Sequence, residues 1–297
     1  MSRPIDRLIE GIPNLGSYSG VLQEMEEVLN DPQSTLSEVG KVIEKDPALT
    51  ARLLKLANSS FFGFPSRLET VSEAITLIGI QQVQDLISAS TVIEIFEGVS
   101  AELVSMASFW KHSLACGVAA RLLALERRVP KPEKFFVGGL LHDVGRLALY
   151  SKVPDQARAI FELAQGQRML LREAESEVLG FDHAEIGEAL LRAWNYPANL
   201  VQAVRYHHSP ISASPFQLEA SLIHIADHLI NAMQLGSSGE RFAPPLNPRA
   251  WERVNLSGEV LGAMVEAIDG QISAVESAFL VPKEPAAGET PESDASK

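Results

Sequence analysis

Apolar residues along the chain recur mainly at intervals of three and four, the spacing that places them on one face of an α-helix. One clear example is the segment 36–43, where Leu36, Val39, Val42 and Ile43 are separated by polar, charged and glycine residues. Sustained alternation with period two, which is typical of strands, is not found, and neither are Asn-Gly hairpin turns. The pattern therefore predicts an all-α protein.

Local capping signals indicate where some of these helices begin and end. Thr35 with Glu38, and Thr70 with Glu73, have the spacing of a capping box, in which each residue bonds to the backbone of the other. Gly79 follows the second pair at a position typical of a helix C-cap. We therefore predict one helix after Thr35 and another that ends near Gly79.

Turn signals and composition divide the chain into five segments. They are a lead-in (1–16), an N-terminal helical lobe (17–100), a second helical lobe (101–235), a loop with a C-terminal helix (236–281) and a tail (282–297). The tail is rich in Pro, Glu and Ser, and we expect it to be disordered because it has few apolar residues to bury.

The charge of the chain bears on its partners. The net charge of −13 argues against a general nucleic-acid surface, which needs a basic stripe. The chain begins without the apolar core of a signal peptide, and no apolar run approaches the roughly 20 residues of a membrane span. We therefore expect no nucleic acid and no membrane as partners, and a cytoplasmic location.

Cys116 is the single cysteine, so an intrachain disulfide is excluded, which fits a reducing compartment. Its neighbours are Ala115 and Gly117. We expect a buried small residue here rather than a reactive thiol.

The histidines are unevenly placed, because all seven lie between His112 and His228. His142 and Asp143 are adjacent, and neighbouring residues of a helix point about 100° apart, so both can reach one point only if it lies between their directions. Gly139 and Gly145 flank the pair, and glycine is costly in a helix, so another helix or a ligand is expected to approach closely. Imidazole and carboxylate favour Fe, Mn, Co, Ni or Zn.

The order of these residues resembles that of the HD-superfamily phosphohydrolases. Those enzymes use a His, an adjacent His-Asp pair and a distant Asp on separate helices, and the matching residues here are His112, His142, Asp143 and Asp227. The resemblance implies that His112, His142 and Asp227 hold one metal ion and that Asp143 bridges to a second. Two such ions would activate water and clamp a phosphoryl group.

The later histidines are similar to those of the HD-GYP phosphodiesterases. His183 and the pair His207-His208 follow in that family's order, which implies that they hold the second ion. The chain departs from that family because it lacks the Gly-Tyr-Pro loop, has Ser108 where some members have a Glu ligand, and has Arg146 where a Lys is common. These departures argue against cyclic di-GMP hydrolysis and favour at most two ions.

A longer resemblance lies in the N-terminal lobe. The segments DPALTARLLKLANSSFFGF (46–64) and ETVSEAITLIGIQQVQDLI (69–87) are similar to the opening of HDOD domains, the HD-related output domains, and the likeness covers most of 14–215. It implies an HD-like helical bundle with an N-terminal helical lobe. Most family members have lost the metal ligands and are thought to act as regulatory or output modules in bacterial signalling, whereas this sequence keeps them.

Two functions follow from these resemblances. The first is a signal-transduction output module that binds signalling proteins and a mono- or dinuclear metal centre, with Fe or Mn favoured over Zn, Ni or Co. The second is a metal-dependent phosphohydrolase acting on a nucleotide or cyclic dinucleotide, in which Asp143 is catalytic and Arg146 or Arg205 steadies the phosphate. The longer HDOD resemblance favours the first.

Two points stay open from the sequence. The same His and Asp residues could form a buried hydrogen-bond network that holds no metal. His224 and His228 have the i, i+4 spacing of zinc-binding helices, but Asp227 matches the family pattern better. We therefore interpret these two histidines as supports for the ligands or as surface residues.

Overall fold

The computed structural model of the protein describes residues 3–100 and 102–280. Within these ranges the regular secondary structure is entirely helical, so the prediction of an all-α fold is confirmed. None of the described helices combines the length and apolarity needed to cross a membrane. The disorder expected for 282–297 lies outside the described residues.

The lead-in and the N-terminal lobe contain seven helices among the described residues, of 4 to 16 residues each. They are α1 (Pro4–Ile9), α2 (Leu15–Tyr18), α3 (Gly20–Asn30), α4 (Leu36–Glu44), α5 (Pro47–Ala57), α6 (Val71–Ile78) and α7 (Ile80–Ile95). The Thr35–Glu38 and Thr70–Glu73 pairs form capping boxes at the starts of α4 and α6. Both predicted helix starts are therefore confirmed.

The described residues from 102 to 280 form a second set of helices. They are α8 (Met106–Glu126), α9 (Glu133–Leu141), α10 (Val144–Lys152), α11 (Pro154–Gln167), α12 (Leu171–Leu179), α13 (His183–Ala193), α14 (Ala198–Arg205), α15 (Gln217–Met233), α16 (Pro248–Val254) and α17 (Val260–Phe279). The long helix α8 lies at the centre and packs against α9, α15 and α17. Helix α17 also contacts α5, so the last helix joins the two lobes.

Glycines allow the helices that carry the histidines to approach closely. A Cβ atom added at Gly139 would lie 2.5 Å from the Cys116 carbonyl oxygen on α8. A Cβ at Gly145 would overlap the His183 carbonyl on α13. The close helix approach predicted from these glycines is therefore confirmed, and it brings α8, α9, α10 and α13 to one point.

Candidate metal centre

The predicted metal ligands converge on one buried point of the second lobe. They come from α8 (His112), the junction of α9 and α10 (His142 and Asp143), the start of α13 (His183), the turn after α14 (His207 and His208) and α15 (Asp227). All are buried except His208, which is partly buried. Residues that lie up to 115 positions apart by number are thus within reach of one another.

A first ligand group consists of His112, Cys116, His142 and Asp227, whose ligand atoms all lie within 4.8 Å of one another. Asp227 Oδ1 is 3.3 Å from His112 Nε2 and 3.5 Å from His142 Nε2. His112 Nε2 is 3.6 Å from the sulfur of Cys116, one helical turn further along α8. Cys116 was not among the predicted ligands.

A second ligand group consists of His183, His207 and His208, joined by Asp143. His183 Nε2 lies 3.4 Å from His207 Nε2 and 3.0 Å from His208 Nε2. Asp143 Oδ1 is 3.0 Å from His183 Nε2, and its other oxygen is 3.3 Å from His142 Nε2 in the first group. Asp143 therefore lies between the two groups, in the place that the family resemblance gives a bridging carboxylate.

Hydrogen bonds on the far side of the rings fix their orientation. His142 Nδ1 donates to the Gly139 carbonyl and His207 Nδ1 to the Val204 carbonyl, each over 2.7 Å. A carbonyl oxygen only accepts, so Nδ1 carries a proton, and the lone pair of Nε2 faces the cluster when the ring is neutral. Such outer partners are typical of metal-bound histidine.

Polar atoms inside the cluster test whether a cation fits. His142 Nε2 and Asp143 Oδ1 are buried and form no hydrogen bond of acceptable geometry, although ligand atoms of the cluster lie 3.3 Å and 3.0 Å from them. Buried polar atoms are normally paired, and an ion between the two groups would pair these two. A donor set of imidazole and carboxylate also suits first-row divalent metals. The residues present therefore fit a metal.

The two carboxylates of the cluster are ionised. Burial by itself raises the pKa of Asp143 and Asp227, because it disfavours a charge. Arg146 and His142 beside Asp143, and His112 and His142 beside Asp227, outweigh burial and hold both pKa values well below the usual range. These two carboxylates thus supply negative charge that can balance a bound cation.

The histidines divide into two kinds by their pKa. Burial lowers the pKa of His142 and His183, but Asp143 raises that of His142 to about 10, and Glu175 with Asp143 raises that of His183 to about 9. Burial and the neighbouring imidazoles lower the pKa of His207 to about 3. Metal binding requires neutral imidazole, so His142 and His183 must each release a proton when an ion binds.

Arg146 is buried behind the ligands rather than open to a substrate. Its guanidinium donates to Asp143 Oδ2 and Glu175 Oε1, both at 3.1 Å, and to Ser238 Oγ at 2.6 Å. Glu240 Oε2 lies 3.8 Å away. The guanidinium is therefore directed at groups of the protein itself.

Two further residues belong to the site and were not predicted. Glu175 Oε2 accepts a hydrogen bond from His183 Nδ1 at 2.5 Å and another from the His183 backbone at 2.8 Å. The Ser238 hydroxyl donates to Asp143 Oδ2. Sequence spacing gives no sign of either residue, because both contacts depend on how α12 and the segment after α15 pack.

The segment 236–247, which we call the strap, crosses the cluster after α15. Gly236 has a φ of 73°, and a Cβ there would overlap the Ser108 carbonyl on α8. Tyr150 donates its hydroxyl proton to the Ser238 carbonyl at 2.7 Å, and Glu240 accepts from the Leu171 backbone at 2.9 Å. These contacts hold the strap over Asp143.

The remaining candidates lie outside the ligand groups. His224 donates from Nδ1 to the His207 carbonyl and accepts at Nε2 from the Asn247 backbone, so both ring nitrogens are used. His228 donates from Nδ1 to the Pro244 carbonyl of the strap. Both histidines therefore support the backbone around the centre, as interpreted from the sequence.

Arg205 is paired at the edge of the second lobe. Its guanidinium lies 3.1 Å from Glu185 Oε1 and 3.4 Å from Glu188 Oε2. Its charge is thus balanced by carboxylates of α13.

Comparison with known proteins gives both family and fold. The HDOD domain model matches residues 15–210. An uncharacterized protein of Treponema pallidum (strain Nichols) is 28% identical over 204 residues, which are 68% of this chain and 38% of that protein. The chain thus spans well under half the length of this curated relative.

Solved structures share the fold. An HDOD domain protein of unknown function from Geobacter sulfurreducens has a TM-score of 0.74 and 24% identity, covering 93% of this chain and 97% of that one. A protein from Shewanella amazonensis SB2B, named as a candidate phosphohydrolase, has a TM-score of 0.70 and 25% identity over the same shares. Since the family model matches well over half of its residues, the chain belongs to the HDOD domain family.

Proposed function

We propose that this chain is a signal-transduction output module of the HDOD type whose buried centre holds one or two divalent metal ions. The observation that carries the proposal is the convergence of the predicted ligands on two adjoining groups, with unpartnered buried ligand atoms at His142 Nε2 and Asp143 Oδ1. Fe and Mn are the expected ions, and Zn, Ni or Co suit the same donors.

The enclosure of the centre favours regulation over turnover. His142, His183 and His207 are each 0% exposed. Structural metal sites are closed by protein ligands, whereas catalytic sites keep an open position for water or substrate. The strap adds to this closure, since Ser238 bonds directly to Asp143.

The strap provides a route from the centre to the surface. Ser238 contacts Asp143 and Arg146, while Phe242 and Leu246 of the same strap are 43% and 37% exposed. An ion would place a fixed positive charge next to Asp143. This charge would change the electrostatic interactions that Ser238 and Arg146 make with Asp143. We propose that a signalling protein in the cytoplasm reads the resulting position of the strap.

A test of this proposal is the metal content of the purified protein, by elemental mass spectrometry, after anaerobic reconstitution with Fe²⁺ or Mn²⁺. We expect one or two ions per chain. The double variant His142→Ala/His183→Ala removes a ligand from each group and should bind none, whereas His228→Ala should match the parent protein. A parent protein that stays free of metal would contradict the proposal.

A metal-dependent phosphohydrolase is the second candidate. Two observations favour it: Asp143 lies between two ligand groups, and the Shewanella neighbour is named as a candidate phosphohydrolase. The substrate would be a nucleotide or cyclic dinucleotide, and Arg146 could pair with its phosphate only after leaving Ser238 and its carboxylate partners. Hydrolysis of a generic phosphodiester with Mn²⁺, abolished by His142→Ala, would establish this function, and its absence would favour the regulatory one.

A further inference from the structure

Cys116 lies inside the centre although the sequence predicts only a buried small residue. Its side chain is fully buried on α8, one turn after His112, and its sulfur is 3.6 Å from His112 Nε2. The sulfur is also within 4.8 Å of the ligand atoms of His142 and Asp227. A soft donor therefore joins the imidazoles and the carboxylate of the first ligand group.

The distances in this group match one coordination shell. With metal–sulfur bonds of about 2.3 Å and metal–nitrogen or metal–oxygen bonds of about 2.1 Å, a tetrahedral ion separates sulfur from nitrogen by about 3.6 Å and nitrogen from oxygen by about 3.4 Å. The observed separations are 3.6 Å between Cys116 Sγ and His112 Nε2, and 3.3 and 3.5 Å between Asp227 Oδ1 and the two imidazoles. Three of the six separations in the group thus match a single tetrahedral shell, and the other three lie within 4.8 Å.

A second observation points to a ligand at the same place. His142 is 0% exposed, and its Nε2 has no hydrogen-bond partner. Because Nδ1 donates to the Gly139 carbonyl, the Nε2 lone pair of the neutral ring is directed into the group that contains Cys116. A cation in the first group would satisfy this nitrogen and the sulfur together.

We propose that Cys116 is the fourth ligand of an ion held by His112, His142 and Asp227, which rests on the proposed function in requiring a metal at this centre. The thiol proton leaves to solvent as the sulfur–metal bond forms. The two groups then differ in chemistry, because thiolate favours Zn²⁺, Fe²⁺ or Co²⁺, whereas three imidazoles with Asp143 accept harder ions as well. The centre would then have two different coordination environments, one that contains a sulfur ligand and one that contains only nitrogen and oxygen ligands.

The probe for this proposal is Co²⁺, added anaerobically to the full chain. A thiolate bound to Co²⁺ gives a near-ultraviolet charge-transfer absorption, which we expect in the parent protein and not in Cys116→Ser. His208→Ala alters only the second group and serves as the matched control that keeps the absorption. We also expect Cys116→Ser to bind Zn²⁺ at least about tenfold more weakly, because even the loss of an outer hydrogen-bond partner of a metal ligand typically costs that much.

X-ray absorption of the Zn²⁺-loaded parent protein tests the same bond without any substitution, so the result does not depend on how a variant folds. A sulfur scatterer at about 2.3 Å supports the proposal. Bound Zn²⁺ with only nitrogen and oxygen neighbours would overturn the role of Cys116 and leave the metal centre standing. A chain that takes up neither Zn²⁺ nor Co²⁺ would overturn the proposed function as well.

Discussion

The buried polar residues of the N-terminal lobe are uncharged, as at Gln82, Ser90 and Thr91, whereas the second lobe buries carboxylates and guanidinium groups such as Asp143 and Arg146. Apolar side chains gain free energy wherever they are removed from water. Buried charges are tolerated only when partners or ions compensate them. The stability of the second lobe should therefore depend on ions and pH, while that of the N-terminal lobe should depend on packing alone.

The largest expected effect comes from removing the buried cation Arg146 beside the metal ligands. Arg146→Met leaves Asp143 and Glu175 facing each other without their shared partner. Breaking a buried ion pair costs about 3–5 kcal/mol, and we expect a loss of that size in urea unfolding of the metal-free protein. The matched change Arg205→Met removes partly exposed ion pairs and should cost about 1 kcal/mol or less. Equal losses of stability in the two variants would contradict the expected difference between buried and partly exposed ion pairs.

Metal binding should stabilise the protein by a smaller amount. An ion present at 100 times its dissociation constant adds about 2.7 kcal/mol to the free energy of unfolding. The midpoint temperature of thermal unfolding of the parent protein should therefore rise when Mn²⁺ is added and return to its original value when a chelator removes the ion. The double variant His142→Ala/His183→Ala should show no shift, and a shift that persists in it would place the ion elsewhere.

The affinity of the second lobe for metal should depend on pH, because its ligands must lose protons to bind an ion. The pKa values of about 10 for His142 and about 9 for His183 mean that both rings carry a second proton and a positive charge near neutral pH without metal. Each proton released on binding raises the apparent affinity about tenfold per pH unit. The slope between pH 6 and 8 should therefore approach two for an ion in the first group, which displaces protons from His142 and the Cys116 thiol, and one for an ion in the second group, which displaces a proton from His183. Competition titrations with a chelator at several pH values measure this slope, and a flat profile would contradict it.

The same two pKa values predict the stability of the metal-free protein. Because the folded values exceed the unfolded value of about 6.5, these protons stabilise the fold fully below that pH. The contribution falls progressively above that pH and is lost once the pH has risen through about 9 and about 10, where His183 and His142 lose their protons in the folded state. Urea midpoints of the chelated protein should decrease over this range, and a midpoint that rises there would contradict the raised values.

The smallest expected effect lies in the N-terminal lobe. Ile43 is fully buried among apolar neighbours, and Ile43→Val removes one methylene at a cost of about 0.5–1.5 kcal/mol. Because this loss reflects packing only, it should be the same with and without metal when measured by urea unfolding. A metal-dependent loss would show that the two lobes are energetically coupled through the helices that join them.

The sequence predicts those features that depend on neighbours along the chain. The capping boxes at Thr35 and Thr70 are local, so the starts of α4 and α6 follow directly from residue types. The short helix α16 is not predicted from the sequence. Its segment contains turn-forming residues such as Pro248, and it is too short to show a clear helical spacing of apolar residues.

The site could be predicted only in part. The set of histidines and aspartates was found through its resemblance to known families, and the structure brings those residues together. Glu175 and Ser238 were missed because the side chains of Ser238 and Asp143 meet across 95 positions of the chain, a contact set by tertiary packing. The sequence predicts only a small buried residue at Cys116. Its alanine and glycine neighbours along the chain do not indicate that the Asp227 side chain of another helix lies nearby.

The most direct test of the metal centre is anomalous X-ray diffraction from crystals of the protein reconstituted with Fe²⁺ or Mn²⁺. We expect an anomalous peak among His112, His142 and Asp227, a second among His183, His207 and His208 where both ions bind, and Asp143 between them. Well-ordered crystals with no anomalous peak at either group would contradict the account, and the cluster would then be a buried hydrogen-bond network that holds no ion.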